Sequence, residues 1–273
     1  RRLKSDKTII ADLPERNTID QFTNLTAEQA ALYSKVLEEH MAKLKKLDAK
    51  AAADPTGNDA KTARRGQVLR LITSMKQICN SPSQYLKTEA ATPDSGKAAA
   101  LFDILGRCRE ASRKVLIFTQ YREMGERLQT WIEKATGERP DFLHGGVSVK
   151  ARQDMVDRFQ TDRSVHSMII SLKAGGTGLN LTAASCVVHY DLWWNPAVEA
   201  QATDRAYRIG QRRDVLVYRF VTAGTFEERI NEMLTEKQSL ADLTVTTGET
   251  WIGDLSSSEL QSLFSLDPKS VTG

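Results

Sequence analysis

The sequence predicts an α/β fold with a mainly parallel sheet that is covered by helices on both faces. Short apolar runs recur along the chain, at 115–118, 141–144, 168–171, 186–191 and 215–221. Continuous apolar runs of this length are typical of strands that are buried on both faces. Segments with helical periodicity separate most of these runs, and strands that alternate with helices indicate parallel pairing.

The helices of this α/β part are predicted at 97–111, 121–135, 148–160 and 196–209. The last of them begins with Asn195 as its N-cap and Pro196 at its first position, and Gly210 follows as its stop. Residues three apart share a helix face, so Arg205 and Arg208 are expected to point in the same direction.

Two further helices and a linker precede the α/β part. The first helix begins at Thr26, which with Gln29 fits a capping box, and the turn-forming residues 53–59 end it. The second covers 62–79, and the segment 80–96, rich in Ser, Pro, Thr and Gly, is a predicted linker. The apolar stripe of the first helix has helical spacing and consists of Tyr33, Val36, Leu37, Met41, Leu44 and Leu47.

The composition is that of a globular protein, with 40% hydrophobic and 27% charged residues in 273. No apolar run approaches the roughly 20 residues that cross a bilayer, so no membrane segment is expected. The net charge of +3 permits an anionic partner without requiring one. Three scattered cysteines indicate a reduced, intracellular protein. The first residues lack both Met and an apolar signal core, so we expect a piece of a longer protein.

A glycine-rich stretch at 171–182 follows a predicted strand, and open α/β sheets bind their ligands at the carboxyl ends of strands. Gly175, Gly176 and Gly178 would let the backbone approach a phosphate and present its N–H groups. A tight turn that simply requires glycine is the alternative. Neither a Walker A loop nor a dinucleotide fingerprint occurs in the sequence, so nothing here cradles the β- and γ-phosphates of a nucleotide.

Arg205 and Arg208 are the candidate catalytic residues. A guanidinium is always charged and its donors match phosphate oxygens, so the pair could neutralise charge on a transferred phosphoryl group as arginine fingers do. The alternative is a solvated basic face that is paired with Asp204, Glu199 or Asp214. An isolated Arg-x-x-Arg pattern favours this alternative.

The surrounding sequence changes that balance. The segment from Ser171 to Gln211 resembles motifs V and VI of the Swi/Snf family of helicase-like DNA translocases. Its sequence is most similar to those of prokaryotic members. Other parts of the sequence resemble further elements of the family, and they occur in the family's order. Residues 1–14 resemble the segment that enters the second lobe, and 78–82 resemble its helical protrusion. Residues 114–121 resemble motif IV, 144–146 with Arg152 resemble the next element, and 225–230 resemble the closing helix.

The resemblance implies an ATPase motor of two RecA-like lobes, with ATP and Mg²⁺ held in the cleft mainly by the first lobe. The sequence contains no GKT, DEGH or DEAH-like string, so it resembles lobe two alone and is expected to be inactive as an ATPase when isolated. The expected parts are a segment entering from the first lobe (1–26), a helical protrusion with linker (27–96), RecA-like lobe two (97–240) and a C-terminal brace (241–273).

The same resemblance assigns the site residues. Arg205 and Arg208 would reach ATP bound on lobe one, and Gln201 would order their surroundings. The residues expected along the ATP cleft are Gln201, Gly176, Gly178 and Asn180. Those expected to contact the DNA backbone are Gln120, Tyr121, His144, Lys173 and Gly175. His144 could instead only shape its turn, and Trp193 and Trp194 could stack on bases or pack beneath the arginine helix.

The implied partners are double-stranded DNA, the first lobe of the same polypeptide and a DNA-bound protein target. The implied location is the cytoplasm or nucleoid in a prokaryote and the nucleus in a eukaryote. Two alternatives stay open. One is an RNA helicase-type lobe, which shares motif VI in outline but not its Trp-Asn-Pro and Ile-Gly-Gln surroundings. The other is a non-enzymatic module that only binds nucleic acid or a protein.

Overall fold

The computed structural model describes residues 13–53, 58–171, 179–240 and 249–267. The strands in these ranges are β1 (Arg16–Thr23), β2 (Lys114–Thr119), β3 (Asp141–Leu143), β4 (Ser167–Ser171), β5 (Ala184–His189) and β6 (Val215–Thr222). The helices are α1 (Ala27–Ala53), α2 (Asn58–Asn80), α3 (Pro82–Leu86), α4 (Gly96–Glu110), α5 (Arg122–Thr136), α6 (Val149–Thr161), α7 (Pro196–Thr203), α8 (Phe226–Leu240) and α9 (Ser257–Phe264), with a 3₁₀ helix at Glu249–Asp254.

The strands form one sheet in the order β1-β6-β5-β2-β4-β3. Four neighbouring pairs are parallel: β2 with β4, β2 with β5, β3 with β4, and β5 with β6. Strand β1 runs in the same direction as β6, since Val215 N donates to Glu15 O and Ala223 N donates to Thr23 O, both at 2.9 Å. The predicted parallel α/β sheet is therefore confirmed, and the carboxyl ends of its strands meet at one edge.

Alternate side chains of β2 divide the core between the two faces of the sheet. Leu116 and Phe118 belong to a buried cluster that includes Phe159 of α6 and Ala202 of α7. Ile117 is equally buried on the opposite face, where α5 packs against β2, β3 and β4. Helices thus cover both faces, as the continuous apolar strands predict.

The chain divides into two compact units. The first contains the described residues of 1–21 and 100–220, and the second those of 22–99 and 221–273. In the second unit the described parts of the predicted protrusion and tail pack together: Tyr33 Oη donates to Phe264 O at 2.8 Å, and the Phe264 ring stacks on Phe226. None of the described helices combines the length and apolar character that a membrane crossing requires.

Local signals locate the beginnings of helices well. Thr26 N donates to Gln29 Oε1 at 3.1 Å and Gln29 N donates to Thr26 Oγ1 at 3.2 Å, which is the predicted capping box before α1. The predicted linker 80–96 is different, because it contains the short helix α3. Ser81 caps α3 by accepting from Gln84 N, Pro82 occupies its first position, and these residues are buried.

Candidate functional site

The helix that precedes the arginines begins as predicted. The Asn195 side chain accepts a hydrogen bond from Ala197 N at 3.1 Å, and Pro196 is the first residue of α7. Trp194 has a φ of 54°, a left-handed conformation that turns the chain into the helix. Trp194 is buried and Trp193 packs on the core cluster, so the structure supports the packing role for both.

The end of α7 corrects the sequence prediction. The helix stops at Thr203, and residues 204–210, called the arginine turn below, form turns. Leu181 N donates to Arg205 O at 3.0 Å and so takes the carbonyl that a continuing helix would use. The prediction that Arg205 and Arg208 share one regular helix face is therefore wrong. Gly210, with a φ of 99°, closes the arginine turn and not the helix.

Arg205 is buried beside a second cation. Its guanidinium lies 5.7 Å from the centre of the Phe118 ring, and only 8% of the residue is exposed. Burial lowers the pKa of Arg205 from its ordinary value, and the charge of Arg152 lowers it further. Arg152 lies in the first turn of α6, and its Nε is buried with no hydrogen-bond partner among the described residues. The charges of Arg152 and Arg205 therefore influence each other.

Arg208 differs from Arg205 because it is exposed. Its Nη1 lies 3.5 Å from Leu179 O, at the start of the segment that leads into β5. Asn180 in this segment and Gln201 on α7 are both exposed. The structure therefore brings the arginine turn against the segment that begins at Leu179.

The acids that could have paired with the arginines bind other groups. Glu199 Oε2 accepts from Arg219 Nε at 3.0 Å, and Glu199 Oε1 accepts from Trp193 N at 3.1 Å. Arg219 also donates to Asp20 at 2.6 Å. Asp204 lies 3.9 Å from Arg16, and Asp214 accepts from Glu15 N. Glu199, Asp204 and Asp214 thus each contact a group other than Arg205 and Arg208.

His189 fixes the carboxyl end of α7. Its Nε2 is hydrogen-bonded to Thr203 Oγ1 at 3.0 Å, and its ring stacks on Phe118 at 5.4 Å. Phe118 therefore contacts both His189 and the Arg205 guanidinium. Desolvation lowers the pKa of His189 to about 4, so the imidazole is neutral in the folded protein near pH 7.

This neutral histidine predicts an acid-sensitive fold. The unfolded chain takes up a proton near pH 6.5, whereas the folded chain does so only near pH 4. The unfolded state thus binds more protons between these values, and the free energy of unfolding of the first unit should fall by about 3 kcal/mol as pH is lowered through this window. Urea unfolding at pH 7.5 and pH 4 should show a smaller fall for His189→Gln. An equal fall in both proteins would contradict the assignment.

The predicted DNA-contact residues Gln120 and Tyr121 follow the carboxyl end of β2, and both are partly buried. Gln120 Nε2 donates to Leu192 O at 2.7 Å, and Gln120 N donates to Asp191 Oδ1 at 2.9 Å. Asp191 is fully buried and also accepts from Thr119 Oγ1 at 2.5 Å. Sequence reasoning missed Asp191, although an acidic residue directly after an apolar strand is a usable signal. It ties the end of β2 to the end of β5.

His144 follows β3 at the same edge of the sheet. Its Nδ1 accepts from Gly146 N and its carbonyl accepts from Val147 N, both at 3.1 Å. These bonds support the turn-shaping reading, with the ring left partly exposed. The predicted site residues Lys173, Gly175, Gly176 and Gly178 follow β4 and lie outside the described residues. Their assignments stay predictions.

Comparison with known proteins identifies the family. Residues 96–210 match the helicase conserved C-terminal domain. The chain is 43% identical to the putative ATP-dependent helicase/translocase YwqA of Bacillus subtilis (strain 168), over 97% of this chain and 28% of that protein. The chain spans about a quarter of the length of such curated relatives (28%, 24% and 24%).

Solved structures of the same family resemble this chain. The Sulfolobus solfataricus SWI2/SNF2 ATPase core in complex with dsDNA is 38% identical with a TM-score of 0.77, over 98% of this chain and 54% of that one. The C-terminal domain of the Sulfolobus solfataricus SWI2/SNF2 ATPase is 33% identical with a TM-score of 0.72, over 93% of this chain and 100% of that one. The chain therefore belongs to the SWI2/SNF2 ATPase family and is a C-terminal lobe of that family, with its RecA-like α/β fold.

Proposed function

We propose that this chain is the second motor lobe of an ATP-dependent translocase on double-stranded DNA. The observation that carries the proposal is Arg205, whose guanidinium is buried 5.7 Å from the centre of the Phe118 ring in a C-terminal lobe of the SWI2/SNF2 ATPase family. The names of the relatives support the same activity, since one is a putative ATP-dependent helicase/translocase and another is a core solved with dsDNA.

In this proposal the lobe completes an active site whose other half lies on the first lobe. ATP, held with Mg²⁺ mainly by the first lobe, supplies the transferred phosphoryl group. Guanidinium groups fit its oxygens, and Arg205 and Arg208 neutralise the charge that develops there. Gln201, Gly176, Gly178 and Asn180 line the cleft. Because the parts are divided between two bodies, hydrolysis requires closure of the lobes, which couples turnover to a step along DNA.

DNA is held through its backbone in the same proposal. The contacts are Gln120, Tyr121 and His144, which follow the carboxyl ends of β2 and β3, and the residues Lys173 and Gly175, which follow β4 in the sequence. Contacts to phosphates position the duplex without reading its sequence, so binding should be tolerant of sequence and strongly dependent on salt. A DNA-bound protein would be the target that translocation displaces or remodels.

The experiment measures ATP turnover of the full-length protein without nucleic acid, with duplex DNA and with RNA. We expect strong stimulation by duplex DNA only, and negligible turnover for residues 1–273 alone. Stimulation by RNA in place of duplex DNA would favour the RNA helicase-type lobe. Binding without turnover under every condition would favour the non-enzymatic module.

Salt dependence tests the backbone contacts. For the full-length protein, log Kd for duplex DNA should rise linearly with log salt concentration, with a slope of about 0.9 per neutralised phosphate. Lys173→Ala should lower that slope by about one. The matched control is Lys134→Ala, because Lys134 is an exposed residue in the last turn of α5, away from the carboxyl ends of the strands. Equal slopes for the two variants would remove Lys173 from the DNA contacts.

A further inference from the structure

The side chain of Gln211 is buried among backbone groups, and only 5% of the residue is exposed. Its Nε2 lies within hydrogen-bond distance of three carbonyls, those of Ala184 at 2.7 Å, Ala206 at 3.0 Å and Thr182 at 3.2 Å. Its Oε1 accepts from the N–H groups of Arg212 at 2.8 Å and Arg213 at 3.0 Å. One carboxamide therefore uses both its donor and its acceptor side on the main chain.

These backbone groups belong to three separate stretches of the first unit. Thr182 and Ala184 lie on the segment that leads from the glycine-rich stretch into β5, and Ala206 lies in the arginine turn. Residues 212–213 lead into β6. The Leu181 N to Arg205 O bond joins the first two stretches at a neighbouring point. Gln211 thus clamps the arginine turn to the segment that borders the proposed cleft.

A clamp is needed because the arginine turn has no regular helix to hold it. Its backbone bonds are those of turns, such as Arg205 N to Ala202 O at 3.3 Å and Gln211 N to Arg208 O at 2.9 Å. His189 secures the end of α7 through Thr203, which precedes the arginines. Gly210 adopts its positive φ directly before Gln211. Gln211 holds the carbonyl of Ala206, the residue that directly follows Arg205.

We propose that Gln211 is a positioning residue for ATP hydrolysis, which holds Arg205 at the productive place without touching the nucleotide. This inference rests on the proposed function of Arg205. A buried side chain bonded only to its own main chain cannot contact ATP, so its effect must pass through the groups it orders. Small displacements of a charge-neutralising group cost large factors in rate, because catalysis here depends on positioning.

The test uses the full-length protein and a sensitive assay of radiolabelled phosphate release with saturating duplex DNA. Gln211→Met keeps the length of the side chain and removes its N–H donors. We expect kcat to fall at least tenfold, with KM for ATP and Kd for DNA within twofold of wild type. If Gln211→Met does not fold, Gln211→Asn takes its place in the assay, because it retains a carboxamide on a shorter side chain. The same changes in kcat, KM and Kd are expected for it.

The matched control is Gln67→Met in the second unit, where Gln67 is also buried and lies 2.7 Å from His40 Nδ1. This variant should lower the melting temperature and leave kcat within twofold. A comparable loss of kcat in both variants would overturn the positioning role of Gln211, because the loss of kcat would then follow from destabilisation alone.

A double-mutant cycle identifies the group through which Gln211 acts. If it acts through Arg205, Gln211→Met combined with Arg205→Ala should turn over as slowly as Arg205→Ala alone, within about twofold. Multiplied losses would overturn the inference. Near-normal turnover of Arg205→Ala would instead refute the proposed role of Arg205. Normal turnover of Gln211→Met together with impaired turnover of Arg205→Ala would refute only the inference about Gln211.

Discussion

Replacing Arg205 with alanine in the full-length protein should lower DNA-stimulated ATP turnover about 10³-fold or more. That is the loss expected when a residue that neutralises charge on a transferred phosphoryl group is removed. Arg208→Ala should have an effect of similar size, although Arg208 is exposed and Arg205 is buried over Phe118. Single-turnover assays with saturating ATP and DNA separate the chemical step from binding.

Two further variants sharpen this prediction. Arg205→Lys keeps the charge but loses the planar donor fork, so it should not restore turnover. Arg212→Ala removes an exposed arginine from the neighbouring stretch and should leave turnover within about threefold. Near-wild-type turnover in both Arg205→Ala and Arg208→Ala would contradict the assignment of these residues as arginine fingers.

Breaking the buried ion pair of the second unit should destabilise that unit by about 3–5 kcal/mol. Lys97 Nζ lies 2.9 Å from Glu227, and the two side chains are 0% and 3% exposed. Asn80 Oδ1 accepts from Lys97 Nζ at 3.3 Å, and Glu227 Oε2 accepts from Thr222 N at 2.9 Å. Glu227→Gln or Lys97→Met leaves the remaining charge buried without its counterion, and desolvation makes that state costly.

Chemical denaturation followed by circular dichroism, with hydrogen exchange of α4 and α8, measures the loss. The control is the pair Arg65–Asp254, which has a similar separation of 2.8 Å but is 69% and 64% exposed. Asp254→Asn should change the free energy of unfolding by less than about 1 kcal/mol. The double variant Lys97→Met/Glu227→Leu should recover part of the single-variant loss, because it leaves no buried charge. Equal effects in the buried and exposed pairs would contradict burial as the cause.

The sequence by itself determined the class of fold and the beginnings of several helices. Continuous apolar strands between helical segments predicted a parallel sheet, and the observed strand pairing confirms it. Asn195 and Pro196 predicted the start of α7, and Thr26 with Gln29 predicted the start of α1. These predictions succeed because strand burial and helix capping depend on residues a few positions apart.

The motif resemblance likewise identified the family, because motifs are strings of neighbouring residues. The comparisons confirm this identification. The motifs do not predict which groups each of their residues contacts. The roles of the glycine-rich stretch and of the predicted DNA contacts remain proposals.

Only the tertiary structure decided how the arginines are held. The Arg205 carbonyl accepts from Leu181 N on another segment, a contact that the pattern around α7 could not predict. The bonds from Gln211 Nε2 to the carbonyls of Thr182 and Ala184 likewise join residues that are far apart in the sequence. A sequence pattern states which residues are neighbours along the chain, whereas a buried charge or carboxamide is satisfied by whichever groups the fold brings beside it.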